Sequence, residues 1–207
     1  MSQFFSIHPD NPQPRLINQA VEILKKGGVI AYPTDSCYAL GCQLGGKAAV
    51  DRITRIRGFD GKHNYTLVCA DFSELATYAK VDNQQFRLLK QLTPGPYTFI
   101  LQATREVPRR LQQEKRKTIG LRVPDNAIAK ALVDALGEPI MSATLMLPGE
   151  EQPLFDAWEI RERLEHELDL VVEGGYCGLE PTSVVDLSGD DGYQVTRKGL
   201  GDTSLFD

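Results

Sequence analysis

Short β-branched, apolar runs at Val29 to Tyr32, Tyr65 to Cys69, Ile119 to Val123 and Pro139 to Ala143 alternate with segments whose apolar residues recur at helical spacing. That alternation constrains the fold more than any other feature. Strands this short and this apolar are stable only when both faces of their sheet are covered, and helices are the covering elements the chain supplies. The sequence therefore predicts one α/β domain built on a largely buried, twisted sheet, with a mixed sheet expected because the last connections are too short for helical crossovers.

The helices are marked by their ends. Asn11 to Gly27 carries Pro14 in its first turn, Leu16, Ala20, Ile23 and Leu24 on one face, and Gly27-Gly28 as a stop. After a glycine-rich loop (Gly41, Gly45, Gly46), Ala49, Ile53 and Ile56 define a second helix. Phe72 to Ala79 and Asn83 to Leu92 follow, closed by Thr93-Pro94-Gly95-Pro96, which no helix or central strand accommodates. Tyr97 to Thr104 reads as a strand, Pro108 as the start of a short basic helix, and Asp125 as the cap of a helix that runs through Leu136 to Gly137. An acidic helix from about Asp156 to Glu167 is expected to anchor in the core through Trp158. Three short strands end the chain: Leu170 to Glu173, Ser183 to Leu187 and Tyr193 to Arg197.

At 207 residues the chain is long enough to bury a sizeable core without staples. No run approaches a membrane-spanning length and the first residues lack a basic, apolar leader, so a cytoplasmic location without membrane partners is expected. Cys37, Cys42, Cys69 and Cys177 form no CxxC pair and read as reduced structural thiols. The net charge of −5 conceals an uneven distribution, since positions 52–65 and 105–122 hold 11 of the 23 basic residues and positions 150–173 hold nine acids. If the two basic segments share a face, that face suits phosphate groups; otherwise they are solvated surfaces.

The sequence contains no GxxxxGK[ST] loop, no GxGxxG after a strand, no HExxH and no GxSxG. Its three histidines, His8, His63 and His166, are too scattered for a metal cluster, and no protein-bound metal site is expected. The segment YPTDSCYALG at 32–41 places Thr34, Asp35, Ser36 and Tyr38 just beyond a strand end. Hydroxyls in such a position either orient a small polar ligand or simply close a turn.

Five segments in order, YPTDSCYALG at 32–41, TPGPYTFIL at 93–101, GLRVPDNAIAKALV at 120–133, PIMSAT at 139–144 and PTSVVDLS at 181–188, resemble the YrdC-like family, which includes the threonylcarbamoyl-adenylate synthases of tRNA modification. The likeness covers residues 12 to 199, leaving residues 1–11 as an N-terminal arm and 200–207 as a C-terminal tail. It implies a twisted mixed sheet flanked by helices around a concave, positively charged cavity. It further implies condensation of L-threonine, bicarbonate and Mg²⁺-bound ATP into threonylcarbamoyl-AMP and pyrophosphate, with a partner enzyme passing the product to tRNA. Association with double-stranded RNA is also a family property.

The resemblance assigns Arg57, Arg122, Ser142, Thr144 and Arg197 to ATP and its phosphates, with Arg57 and Ser142 as catalytic candidates. Thr34, Tyr38, His63, Thr182 and Ser183 fall to the amino acid, and Thr98 is a further candidate lining residue. Clustered basic residues nominate Arg52, Arg55, Arg109, Arg110, Lys115, Arg116 and Lys117 for RNA. Two departures stand out: the family's KxR reads Arg57-Gly58-Phe59, and its SxN reads Ser142-Ala143-Thr144. One cation and one amide are absent, a loss on the order of 2 to 4 kcal/mol of transition-state stabilisation unless Lys62 or His63 substitutes. The sequence thus leaves open a synthase-type nucleotidyltransferase, a double-stranded RNA-binding protein without synthase activity, and a nucleotide store or sensor.

Overall fold

The computed structural model describes residues 1–60 and 63–207. Ten strands form one sheet: β1 (Gln3–Ser6), β2 (Ile30–Tyr32), β3 (Ala39–Gln43), β4 (Thr66–Val68), β5 (Tyr97–Gln102), β6 (Thr118–Arg122), β7 (Ile140–Thr144), β8 (Leu170–Glu173), β9 (Ser183–Asp186) and β10 (Gln194–Arg197). Their order is β1-β8-β2-β3-β7-β4-β6-β5-β9-β10. Pairing is parallel for β1 with β8, β2 with β8, β4 with β6 and β5 with β9. The other neighbours are antiparallel. The expected mixed sheet is present.

Among the described residues six helices cover it: α1 (Pro14–Lys25), α2 (Lys47–Arg57), α3 (Phe72–Tyr78), α4 (Asn83–Leu92), α5 (Ala127–Leu136) and α6 (Ala157–Leu164). One face receives α2, α3, α4 and α6, whose Ile53, Leu75, Leu89 and Ile160 are fully buried against Leu40, Leu67, Phe99, Leu121 and Met141. The opposite face receives α1 and α5, with Leu24, Ile128 and Leu132 packed on Ile30, Tyr32, Val68, Ile140 and Leu170. Truncating one of these fully buried aliphatic side chains to alanine would cost about 2–5 kcal/mol.

Period-2 alternation decides what the second face does where α1 and α5 end. In β5, Phe99 and Leu101 enter the core while Thr98 and Ile100 line a cavity; in β6, Ile119 and Leu121 enter the core while Gly120 and Arg122 line the same cavity. Ile140 of β7 packs under the helices, and Ser142 and Thr144, two and four residues on, reach the cavity. The site is thus the uncovered part of a sheet face whose remainder is core.

Several elements differ from the sequence expectation. The arm over residues 1–11 contributes an edge strand, β1, and the Nδ1 of His8 accepts from the Asp10 and Asn11 N–H groups. The stretch 39–43, read as loop because of Gly41, is strand β3; a Cβ on Gly41 would come within 2.8 Å of the Tyr32 ring, so the glycine serves close packing. Residues 109–111 make only a single 3₁₀ turn. Helix α5 is capped by Asn126, whose Oδ1 accepts from Ile128 and Ala129, whereas the Asp125 N–H donates to Asp35 Oδ2 at 2.9 Å. The core stripe of α6 is Ala157, Ile160 and Leu164, so Trp158 falls one position off it, 63% exposed and stacked on Phe4 at 4.3 Å. The tail over 200–207 packs back, with Phe206 buried.

Candidate functional site

The cavity holds about 300 Å³, and among the described residues Arg57, Arg122 and Arg197 line it without any carboxylate. Each guanidinium is tethered from behind. Arg57 sits at the C-terminal end of α2, where Gly58 turns the chain in the left-handed region at φ 67°, and its Nη1 donates to the Met146 carbonyl. Arg122, at the end of β6, donates from Nη2 to Asp35 Oδ1 at 2.5 Å and to Ser36 Oγ at 3.3 Å. Arg197, at the end of β10, donates to the Thr182 carbonyl from Nε at 2.9 Å and to Thr182 Oγ1 from Nη2 at 3.0 Å.

Two of these arginines keep an unsatisfied donor. The Nε atoms of Arg57 and Arg122 are buried and without a hydrogen-bond partner among the described residues. A buried N–H left unpaired costs about 1–3 kcal/mol, a cost that a ligand oxygen within hydrogen-bond reach would remove. Burial lowers the pKa of Arg57, and the charge of Arg197 adds to the effect; burial likewise lowers that of Arg197. Both shifts favour a ligand that brings negative charge.

Hydroxyls form the rest of the polar lining. Ser142 Oγ donates to the Leu40 carbonyl at 3.0 Å, so the fully buried Tyr32 hydroxyl, 2.7 Å away, is the donor to Ser142. Burial outweighs that bond and raises the Tyr32 pKa to about 12. Thr98 and Thr182 share a hydrogen bond at 2.7 Å. Gly120 keeps the floor open, since a Cβ there would meet Thr66 Oγ1 at 2.7 Å. Thr144 and Thr196 complete the hydroxyl lining.

Phe59 faces the cavity. Its ring stacks on His63 at 3.4 Å and 12°, the Arg57 guanidinium lies 4.6 Å from its centroid, and Tyr65 meets His63 edge-on at 6.0 Å. Burial and then the charge of Arg57 lower the His63 pKa to about 4, with Asp60 opposing. His63 is therefore neutral at physiological pH and adds no cation beside Phe59. Lys62 lies outside the described residues.

The expected amino-acid residues divide. His63 and Thr182 line the cavity, but Thr34, Tyr38 and Ser183 do not. Thr34 Oγ1 donates to the Cys37 carbonyl at 2.6 Å and accepts from the Ser36 and Cys37 N–H groups, closing the turn between β2 and β3. Tyr38 is a core residue whose hydroxyl faces the Gly174 N–H. Ser183 is fully buried, donating to the Gly201 carbonyl and accepting from the Gly199 N–H. Sequence reading missed Asp35 as the partner of Arg122 and Tyr32 as the donor to Ser142. It also missed Thr66 and Asn64, although Thr66 follows from strand alternation, two residues before buried Val68.

Apart from Arg57 and Arg122, which meet in the cavity, the basic segments do not combine into one unpaired surface. Arg52 pairs with Asp169 at 2.9 Å, Arg55 with Glu167 at 3.1 Å and Arg116 with Asp186 at 2.9 Å, so the acidic stretch and β9 neutralise three of the seven nominated residues. Arg110 donates to the Leu44 carbonyl, Arg109 and Lys117 line a separate hollow with Lys80 and Arg105, and Lys115 is exposed. All four cysteines are free and buried, as expected. Among the described residues no helix is long and apolar enough to cross a membrane, and no group of three His, Cys, Asp or Glu side chains stands close enough to hold a metal ion.

Residues 22–199 match the Sua5/YciO/YrdC family, described as "Telomere recombination". The Escherichia coli protein YciO is 63% identical over 206 residues, the whole of both chains. Its crystal structure superposes with a TM-score of 0.96. A threonylcarbamoyl-AMP synthase of Halorhodospira halophila is 31% identical over 180 residues, 86% of this chain and 93% of that one. The P. abyssi Sua5 structure complexed with L-threonine shares the fold at a TM-score of 0.86 and 24% identity, matching 96% of this chain and 58% of that longer one. With the family model matched over residues 22–199 and relatives at 63% and 31% identity, the chain belongs to the Sua5/YciO/YrdC family.

Proposed function

We propose that the cavity is a carbamoyl-adenylate-forming site that joins an amino acid, bicarbonate and ATP, with L-threonine the first substrate to consider. The observation that carries this reading is the set of three tethered arginines, two with orphaned Nε atoms, beside a row of hydroxyls in one cavity. The names of the relatives supply the substrate class: one is a threonylcarbamoyl-AMP synthase, and another is a Sua5 complexed with L-threonine.

In this reaction the amine takes up bicarbonate to give an N-carboxylate, with loss of water. The carboxylate oxygen then attacks the α-phosphorus of ATP, and the bond to pyrophosphate breaks. Negative charge grows on the leaving pyrophosphate, and arginines held in place beforehand stabilise it without reorganising. Mg²⁺ would enter with ATP as part of the substrate and offset part of its phosphate charge; no carboxylate lines the cavity among the described residues to hold it otherwise. Burial and the charge of Arg57 lower the His63 pKa to about 4, so the cations lining the cavity among the described residues are Arg57, Arg122 and Arg197.

The test is incubation of the purified protein with Mg²⁺-ATP, bicarbonate and each of the twenty amino acids, with direct measurement of pyrophosphate and of the carbamoyl-adenylate. Product formation that needs one particular amino acid, and that Arg57→Ala abolishes in a folded protein, supports the reading. Absence of product with every amino acid overturns it.

A further inference from the structure

We infer that Phe59, with His63 behind it, is a positioning residue that locks the Arg57 guanidinium so that its Nε–Nη2 edge receives two oxygens of an oxyanion. This deepens the proposed function and rests on its reading of the cavity as an oxyanion site. A guanidinium has two edges suited to a pair of oxygens, one formed by the two Nη atoms and one by Nε with Nη2. The Met146 carbonyl engages Nη1, an atom that belongs to the first edge and not to the second. The second is left, and its Nε is buried without a partner among the described residues.

The remaining freedom of the side chain is rotation of the guanidinium plane. The Phe59 ring covers one π face at 4.6 Å, His63 backs Phe59 at 3.4 Å, and Tyr65 closes the column against His63. Tyr65 is fixed in turn, its hydroxyl 3.0 Å from Thr54 Oγ1 on α2, the helix that carries Arg57. The column therefore begins and ends on one helix. A stack in which His63 carried charge would repel Arg57, so the neutral imidazole is the form that suits the column. At position 59 the chain gives up a second cation and gains orientation of the first. The ligand such an edge selects presents two oxygens in one plane: a phosphate, a carbonate or a carboxylate.

Inorganic pyrophosphate is the probe, with its affinity measured by calorimetry. Phe59→Leu removes the π face at similar size and is expected to weaken binding about fivefold to thirtyfold, the range of a desolvated cation–π contact. Phe59→Tyr is expected to stay within about twofold. In an Arg57→Ala background, Phe59→Leu should cause no further loss. An equal loss in both backgrounds would mean that Phe59 acts on its own, and no loss in either would mean that it does nothing here; both overturn the inference. If the unaltered protein does not bind pyrophosphate, the nucleotide reading fails, and nuclear relaxation of the Arg57 Nε–H group in the ligand-free protein decides the column separately. Faster motion in Phe59→Leu supports it, and unchanged motion refutes it.

Discussion

The Arg122–Asp35 pair allows a quantitative test of how the cavity holds its cations. Arg122 and Asp35 are 8% and 9% exposed in their side chains and meet at 2.5 Å. Asp35 also accepts the Asp125 N–H through its second oxygen at 2.9 Å, tying the approach to α5 to the same carboxylate. Asp35→Asn keeps the shape but leaves only one acceptor for two donors. If the amide oxygen faces Arg122, the amide NH₂ faces the Asp125 N–H, donor against donor. The charge of Arg122 also loses its compensation. Removing one partner of a buried ion pair costs about 3–5 kcal/mol. Because the cavity is open to solvent beside Arg122, the lower end applies, about 3 kcal/mol, which for a domain of this size lowers Tm by about 6–12 °C. Urea unfolding of four proteins, the unaltered chain, Asp35→Asn, Arg122→Met and the double variant, measures it directly. The double variant should be less destabilised than the sum of the singles by about 2 kcal/mol, since the uncompensated charge is gone. A single-variant cost under about 0.5 kcal/mol, or strict additivity, would refute the view that Asp35 exists to hold Arg122.

Three further outcomes follow from neighbouring residues. His63 should titrate with a midpoint near 4 in the folded protein by nuclear magnetic resonance, against about 6.5 unfolded. The unfolded chain then binds more protons between those values, so stability should fall as pH drops from 6.5 to 4, and His63→Gln should flatten that slope. Gly120→Ala places a Cβ 2.7 Å from Thr66 Oγ1 and 3.1 Å from the Tyr65 carbonyl; an overpacking cost of about 1–3 kcal/mol in urea unfolding and weaker pyrophosphate binding are expected. The buried thiols, with burial pushing Cys42 to about 12 and Cys177 to about 11, should resist a disulfide reagent at pH 8 until the chain is unfolded; prompt labelling of the native protein would contradict their placement.

The helices were legible because each carries a stripe and a stop: Asn83–Leu92 agrees with its reading at both ends, its Asp82–Gln85 capping box fixing the start. Strand β3 was not legible, since Gly41 in a strand looks like a loop until the Tyr32 ring that needs its space is in view. Helix α6 shows the limit of composition: a tryptophan beside two apolar residues suggests a core, but one residue of phase turns it outward. Arg57, Arg122, Ser142, Thr182 and Arg197 were nominated from motifs and do meet in one cavity. Thr34, Tyr38 and Ser183 were nominated in the same way and stand outside that lining, in the turn, in the core and against the tail. A motif records that a residue type is needed, and two needs, support of the backbone and lining of the cavity, leave the same letter. What separates them is which side of the strand or turn the side chain leaves, a property of tertiary packing.

The same distinction bears on position 59. An aromatic ring where the family resemblance leads one to expect a cation reads, in sequence, as lost function. In three dimensions the replacement ring lies against the remaining cation at that corner, on a column anchored to the helix that bears it. Charge attracts an anion from any direction, whereas a locked guanidinium edge accepts it in one. A site that exchanges attraction for orientation should bind a polyphosphate more weakly overall and depend more steeply on the angle at which its oxygens arrive. Phe59→Arg is thus expected to tighten pyrophosphate binding through the added charge, while Arg57→Lys, which keeps the charge and loses the edge, should weaken it nearly as much as Arg57→Ala. If lysine instead restored binding, charge alone would be the operative property at position 57, and the aromatic column would be packing.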